Sequence, residues 1–263
     1  MTNRRQRLLR QTKVSCQRAD PMPKPIAKSK RVSTARVNRI IQKPGPYEGG
    51  PNLADQAYQA VLQALFDRTI PGGAEFTQAE LMRRLGLTAQ PLRDALRTLE
   101  TEGLVTIHAR SCIRFIRADL ELSRDTYHFR SLIERAGARA LAEKGDAAEI
   151  RRLADDHEAL LARLEGGEWG PDEEASLDSL EDRLHGGLIS ALRNPLIETT
   201  ARRLKNYVTL VRLDWLTTRP LAIRTVREHL DIVNACAERD ADAAEAALAS
   251  HFQLALQRLI GMM

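Results

Sequence analysis

The chain has 263 residues, 43% hydrophobic and 29% charged, with a formal net charge of +5. That length accommodates one large or two modest domains with real cores. No uncharged apolar run approaches the ~18–20 residues that span a bilayer, and no apolar stretch follows the basic N-terminus as a secretory signal requires, so the expectation is a cytoplasmic protein with no membrane partner. Three scattered cysteines, Cys16, Cys112 and Cys236, argue for free thiols and against a disulfide framework or a cysteine zinc site.

The net charge hides an asymmetry. Residues 1–46 carry 13 Lys/Arg and one acid, Asp20; the remaining 217 residues carry 27 basic and 34 acidic groups. Residues 1–50 also hold five prolines and little apolar periodicity, so they read as a disordered basic extension. Two readings of it stand: an arm that adds nonspecific affinity for phosphates, or a dispensable leader with Met22 as a later start.

Residues 51–118 read as a winged helix-turn-helix domain. A first helix over 53–68 buries Ala57, Val61, Leu62 and Leu65, and Pro71-Gly72-Gly73 turns the chain. Thr77 stands three residues before Glu80, the spacing of a capping box, and starts a second helix with Leu81 and Leu85 on its apolar stripe. Gly86 ends it. Thr88 is placed to cap the third helix, with Pro91 in its first turn and Leu92, Leu96 and Leu99 facing inward. Gly103 stops that helix, and 105–107 with 113–116 read as a two-stranded wing. The order helix, turn, helix, hairpin places the third helix in a DNA major groove. Segment 77–117 carries seven arginines against four acids, the local excess a DNA-facing surface needs. The residues expected on that surface are Thr77, Arg84, Thr88, Gln90, Arg93, Arg97, Arg110 and Arg114.

The stretch from Leu53 through Val105, above all Leu81 to Gly86, Pro91-Leu92-Arg93, Leu99-Glu100 and Gly103-Leu104-Val105, resembles the DNA-binding domain of the GntR family of bacterial transcription regulators. Where that family commonly has Ser-Arg-Thr-Pro-Val-Arg, this chain has Thr88-Ala89-Gln90-Pro91-Leu92-Arg93. Arg93 is retained and the other arginine is Ala89, so operator preference should differ, because arginine typically reads guanine. Gln90 contacts either a base edge, preferring adenine, or a phosphate or water. The wing tip lacks the family's glycines; Arg110 and Arg114 flank it.

From 119 to 263 the pattern is all-α. Six helices are expected, over 120–143, 146–166, 173–192, 195–218, 222–238 and 240–260, punctuated by Gly145, 166–171, Pro195 and Pro220 and packed around a common core. The fold class is therefore mainly α, with a small β wing in the N-terminal domain and a helical bundle behind it.

Six histidines occur: 108, 128, 157, 185, 229 and 251. His229 and His251 lie 11 residues either side of Asp240, the expected turn between the last two helices. Folding back there puts both about 16 Å from the turn at ~1.5 Å rise per residue. His185 has Glu181 four residues earlier, on the same helix face. Three imidazoles and a carboxylate suit a divalent ion with open positions: zinc, nickel, manganese or iron.

Residues 120–260 are similar to the ligand-sensing FCD domain of the FadR subfamily of GntR regulators. The matching pieces are Phe129-Arg130 through Glu134, Leu184-His185, Asn194-Pro195-Leu196, Glu228-His229 and Asp240 through His251. The resemblance implies a divalent metal on Glu181, His185, His229 and His251, with an organic acid beside it. Glu181 stands where the family has Asp; Asp178 is an alternative, whereas Asp182 should point away. Arg130 matches a position that often lines the effector pocket. Its role is either to clamp a carboxylate or to pair with Glu134 one turn on.

Together these readings predict a homodimeric regulator, more a repressor than an activator, that binds double-stranded operator DNA and responds to a small carboxylate metabolite. Three rivals stand beside it: the same regulator with a metal-free or vestigial effector site, a metal-dependent enzyme, and a nonspecific binder driven by the basic extension.

Overall fold

The computed structural model describes residues 52–108, 112–213, 217–259 and 261. The basic extension and Arg110 lie outside these residues. The described chain forms two compact units that divide between Arg117 and Ala118.

The first unit begins with α1 (Leu53–Phe66), whose first turn is capped by the Asn52 side chain accepting from the Asp55 amide at 2.8 Å. Its buried residues are Ala57, Val61, Leu62, Ala64, Leu65 and Phe66. A turn over Pro71-Gly72-Gly73 follows, where Gly73 takes φ +80 and donates to the Phe115 carbonyl at 3.1 Å. Then come β1 (Glu75–Thr77), α2 (Gln78–Leu85), α3 (Ala89–Thr101), β2 (Val105–His108) and β3 (Cys112–Phe115).

The sheet has three strands rather than the expected two. Its order is β1-β3-β2, all antiparallel, with Ile113 opposite both Phe76 and Ile107. The extra strand is three residues long and pairs with a segment far along the chain, so no local pattern marks it. Phe76 meets Phe115 edge to face, with centroids 6.1 Å apart. This ties the start of α2 to the base of the wing.

Thr77 caps α2 through a full capping box. Its hydroxyl accepts from the Glu80 amide at 3.2 Å, and Glu80 accepts from the Thr77 amide at 2.7 Å. Gly86 closes α2 in the left-handed conformation (φ 66, ψ 26), which a side chain rarely adopts. Thr88 occupies the N-cap position of α3, but its hydroxyl makes no capping hydrogen bond, against the expectation for it. Leu92, Ala95, Leu96 and Leu99 form the buried stripe of α3.

The second unit contains six helices among the described residues: α4 (Leu120–Lys144), α5 (Ala147–Glu165), α6 (Pro171–Ala191), α7 (Pro195–Arg212), α8 (Arg219–Ala237) and α9 (Ala241–Leu259). Asp119, Asp146 and Asn194 cap α4, α5 and α7 with their side chains. Pro171, Pro195 and Pro220 sit in first turns, where a missing N–H costs little. The α7 helix ends at Arg212, earlier than the expected 218.

The long helix α4 packs against α6, α7, α8 and α9, while α5 lies against α6 and α8. Leu160, Leu164, Leu184 and Leu188 are fully buried in the core between them. Gly137 lets α4 approach α6 closely: a Cβ there would stand 2.7 Å from the Leu188 carbonyl carbon. None of the described helices is long and apolar enough to cross a membrane.

Candidate functional site

Three histidines from three helices converge in the second unit. His185 on α6, His229 on α8 and His251 on α9 are all buried, and their nearest ligating atoms lie within 4.8 Å of one another. The His229 and His251 ring centroids are 4.9 Å apart, which follows from equal spacing either side of Asp240. Asp240 itself caps the turn by accepting from the Ala243 amide at 2.9 Å.

Each ring has one nitrogen held from behind. His185 Nδ1 meets the buried Glu134 carboxylate at 2.5 Å. His251 Nδ1 meets Glu228 at 2.8 Å. His229 Nδ1 meets Nε2 of a fourth histidine, His157, at 3.3 Å. The Nε2 atoms of His185 and His229 are buried with no hydrogen-bond partner. An unsatisfied buried polar atom is costly, so these nitrogens fit a group that accepts lone pairs. Burial pushes the His229 imidazole well below its usual range and lowers His251 and His157, which favours the neutral, coordinating form.

Glu181 is placed beside the cluster. Its two oxygens lie 3.7 Å from His185 Nε2 and 3.8 Å from His229 Nε2. The same carboxylate accepts from Arg212 at 2.7 Å. Burial alone would raise its carboxyl, but the Arg212 guanidinium holds it well below the usual carboxylate range. Asp182 points away and pairs with Lys205 at 2.9 Å.

A narrow pocket opens beside the cluster, lined among others by Arg130, Arg212, Arg258, Glu181 and His251, with Thr225 on its wall. Arg130 pairs with Glu134 at 2.8 Å through Nε, and its guanidinium lies 5.0 Å from the Phe252 ring centroid. Of the two readings of Arg130, the ion pair with Glu134 is the one formed, and the residue also lines the pocket. Arg258 grips Glu228 at 2.6 and 2.9 Å. Each pocket arginine therefore shares a carboxylate with a site histidine: Arg130–Glu134–His185, Arg258–Glu228–His251 and Arg212–Glu181–His185. Arg212, Arg258, Glu228 and His157 were not anticipated as site residues. Arg258 carried one local signal, standing seven residues after His251 on the same face; the others pair over long sequence separations.

The first unit presents its own polar face. Gln90, Arg93, Asp94 and Arg97 form one stripe along α3, with Gln90, Arg93 and Arg97 exposed. Gln90 donates to both Asp94 oxygens at 3.0 Å, and Arg97 lies 3.8 Å from the same carboxylate. Arg84 stacks its guanidinium 4.8 Å from the Phe76 centroid, and Arg114 lies 3.3 Å from Glu75. The Thr77 hydroxyl is engaged in its cap, while Thr88 is exposed.

Comparison with known proteins accounts for both units. Residues 53–115 match the family described as bacterial regulatory proteins, gntR family, and residues 125–254 match the FCD domain. The Nta operon transcriptional regulator of Aminobacter aminovorans is 29% identical over 184 residues, covering 69% of this chain and 82% of that protein. The HTH-type transcriptional repressor RspR of Escherichia coli K12 is 26% identical over 202 residues, covering 75% and 85%. Among solved structures, E. coli McbR/YncC superposes with a TM-score of 0.61 at 15% identity, covering 80% of this chain and 98% of that one. A putative GntR transcriptional regulator from Rhodococcus sp. RHA1 gives 0.60 at 18%, with the same coverage. These relatives are transcription regulators, not enzymes. The chain belongs to the GntR family of bacterial regulatory proteins, a DNA-binding transcription regulator that carries an FCD domain behind its winged helix-turn-helix.

Proposed function

We propose that this regulator is a cytoplasmic, homodimeric repressor whose grip on operator DNA responds to a small organic acid bound beside a divalent metal in the second unit. The observation that carries the reading is the buried convergence of His185, His229 and His251, with two orphaned Nε2 atoms, next to an arginine-lined pocket. His185, His229 and His251 would hold the ion, with Glu181 as the neighbouring carboxylate; zinc, nickel and manganese all suit such a donor set. A bound divalent ion supplies a positive centre that attracts a carboxylate. Arg130, Arg212 and Arg258 add guanidinium donors matched to the same group.

At the DNA, Arg93, Arg97 and Gln90 on α3 form the proposed reading face. Arg84, Thr88 and Arg114, with Thr77 and Arg110, flank the phosphates. A homodimer presents two such faces to a near-palindromic operator. Repression is favoured by the relative named as a repressor. By linkage, an acid that loosens operator binding must itself bind less tightly to the DNA complex.

Elemental mass spectrometry of the purified full chain tests the centre, beside a His185→Ala/His251→Ala double variant. The expected result is about one metal ion per chain in the wild type and none in the variant. Equal metal in both, or none in either after reconstitution, would move the effector search to a metal-free pocket around Arg130. Gel-shift titration of operator DNA with and without added carboxylate, on the metal-loaded protein, then tests the response.

A further inference from the structure

Behind His229 lies His157, on α5, fully buried and marked by no motif in the sequence. Its Nδ1 stands 2.7 Å from the Leu153 carbonyl oxygen of its own helix. A carbonyl only accepts, so this nitrogen carries the proton. In a neutral ring the other nitrogen, Nε2, is then an acceptor. Its partner is His229 Nδ1 at 3.3 Å, with the two rings nearly perpendicular at 75°. His229 Nδ1 must therefore carry a proton and donate it. That leaves His229 Nε2 without a hydrogen, and this is the buried atom that has no partner and lies 3.8 Å from Glu181.

We propose that His157 is a positioning residue of the metal site. Through a chain from the Leu153 carbonyl, it fixes the ring orientation and tautomer in which His229 offers Nε2 as a ligand. The inference rests on the metal reading of the histidine cluster. His185 and His251 are oriented by carboxylates, Glu134 and Glu228. His229 alone among the three is oriented by a neutral imidazole, whose own anchor is a backbone carbonyl. Exchanging such a partner for a group that cannot accept typically costs about 10–100-fold in metal affinity.

The test is zinc affinity of the full chain, by competition with a chromophoric chelator, for wild type, His157→Gln and His157→Met. The two variants have similar size. Only glutamine keeps a strong acceptor, its amide oxygen, for the His229 N–H. His157→Met should lose about 10–100-fold in zinc affinity and alter the visible absorption of the cobalt-substituted protein, while His157→Gln stays near wild type. Thermal unfolding of the metal-free proteins separates packing from orientation. If both variants lower the metal-free midpoint equally and bind zinc like wild type, His157 serves packing alone and the inference fails. It also fails if glutamine loses as much affinity as methionine. Should the wild type itself take up neither zinc nor cobalt, the metal reading falls first, and this inference with it.

Discussion

Arg212 on α7 donates to Glu181 on α6 across 2.7 Å, and the same carboxylate lies within 3.8 Å of two histidine nitrogens. Glu181 thus faces a permanent cation on one side and a candidate cation site on the other. Removing one partner of a buried ion pair leaves the other charge uncompensated. Arg212→Ala is therefore expected to destabilise the metal-free protein by about 3 kcal/mol. A divalent ion would supply the missing positive charge, so zinc should restore part of the loss. Denaturant unfolding with and without zinc reads both effects. A variant as stable as wild type without metal would contradict the account of Glu181.

The capping box gives a prediction with a defined pH sign. Thr77→Ala should cost about 1 kcal/mol, the usual worth of an N-cap. The Thr77 amide and hydroxyl hold the Glu80 carboxyl below its ordinary value. Because the folded-state value is depressed, this contribution is fully present above the unfolded value of about 4.3 and disappears as pH falls through the lower folded value. The gap between wild type and variant should therefore narrow from pH 7 to pH 3 in thermal melts. A gap that widens on acidification would be the wrong sign.

Arg93 is exposed on α3 and away from the buried stripe, so its loss should leave stability within about 0.5 kcal/mol. Operator affinity is the property expected to move. If Arg93 reads a base, Arg93→Ala should cost about 1–3 kcal/mol and relax preference at one operator position. If it meets a phosphate, the loss should be uniform across sequences and reduce the salt slope by about one. Titrations at several salt concentrations with operator variants distinguish these, and unchanged affinity throughout would remove Arg93 from the DNA face.

Gly137 tests the helix packing that sets the site. Alanine would gain up to about 1 kcal/mol of helix propensity but press its Cβ onto the Leu188 backbone, which has no rotamer to escape into. Overpacking of this kind costs about 1–3 kcal/mol, and backbone contact puts it at the upper end, so Gly137→Ala should be net destabilising. Because α6 also carries Glu181 and His185, zinc affinity should fall with it. Stabilisation in urea unfolding would show that α4 and α6 can separate freely.

Much of the local architecture is legible in the sequence. Thr77 with Glu80, Gly86, Gly103 and Pro195 at the start of α7 are signals that act within one turn of backbone, and sequence spacing reports such signals directly; α6 and α8 instead open at Pro171 and Arg219, earlier than the expected 173 and 222. The symmetric placement of His229 and His251 about Asp240 was legible for the same reason: one tight turn between two helices leaves little freedom. The free hydroxyl of Thr88 shows the limit, since a cap residue type sits at the cap position without making the bond.

What only the tertiary structure decided is which distant groups meet. The strand β1 exists because Glu75–Thr77 finds β3; three residues alone carry no readable period. Glu134 reaches His185 across 51 positions, Arg212 reaches Glu181 across 31, and His157 reaches His229 across 72. Each of these pairs is stabilised by burial, where a low dielectric makes a matched partner strong and a missing one costly. By itself the sequence determined the helices, most of their ends and the histidines they carry. Packing determined which nitrogen of each histidine is held, because that depends on groups brought together only when the helices share one core.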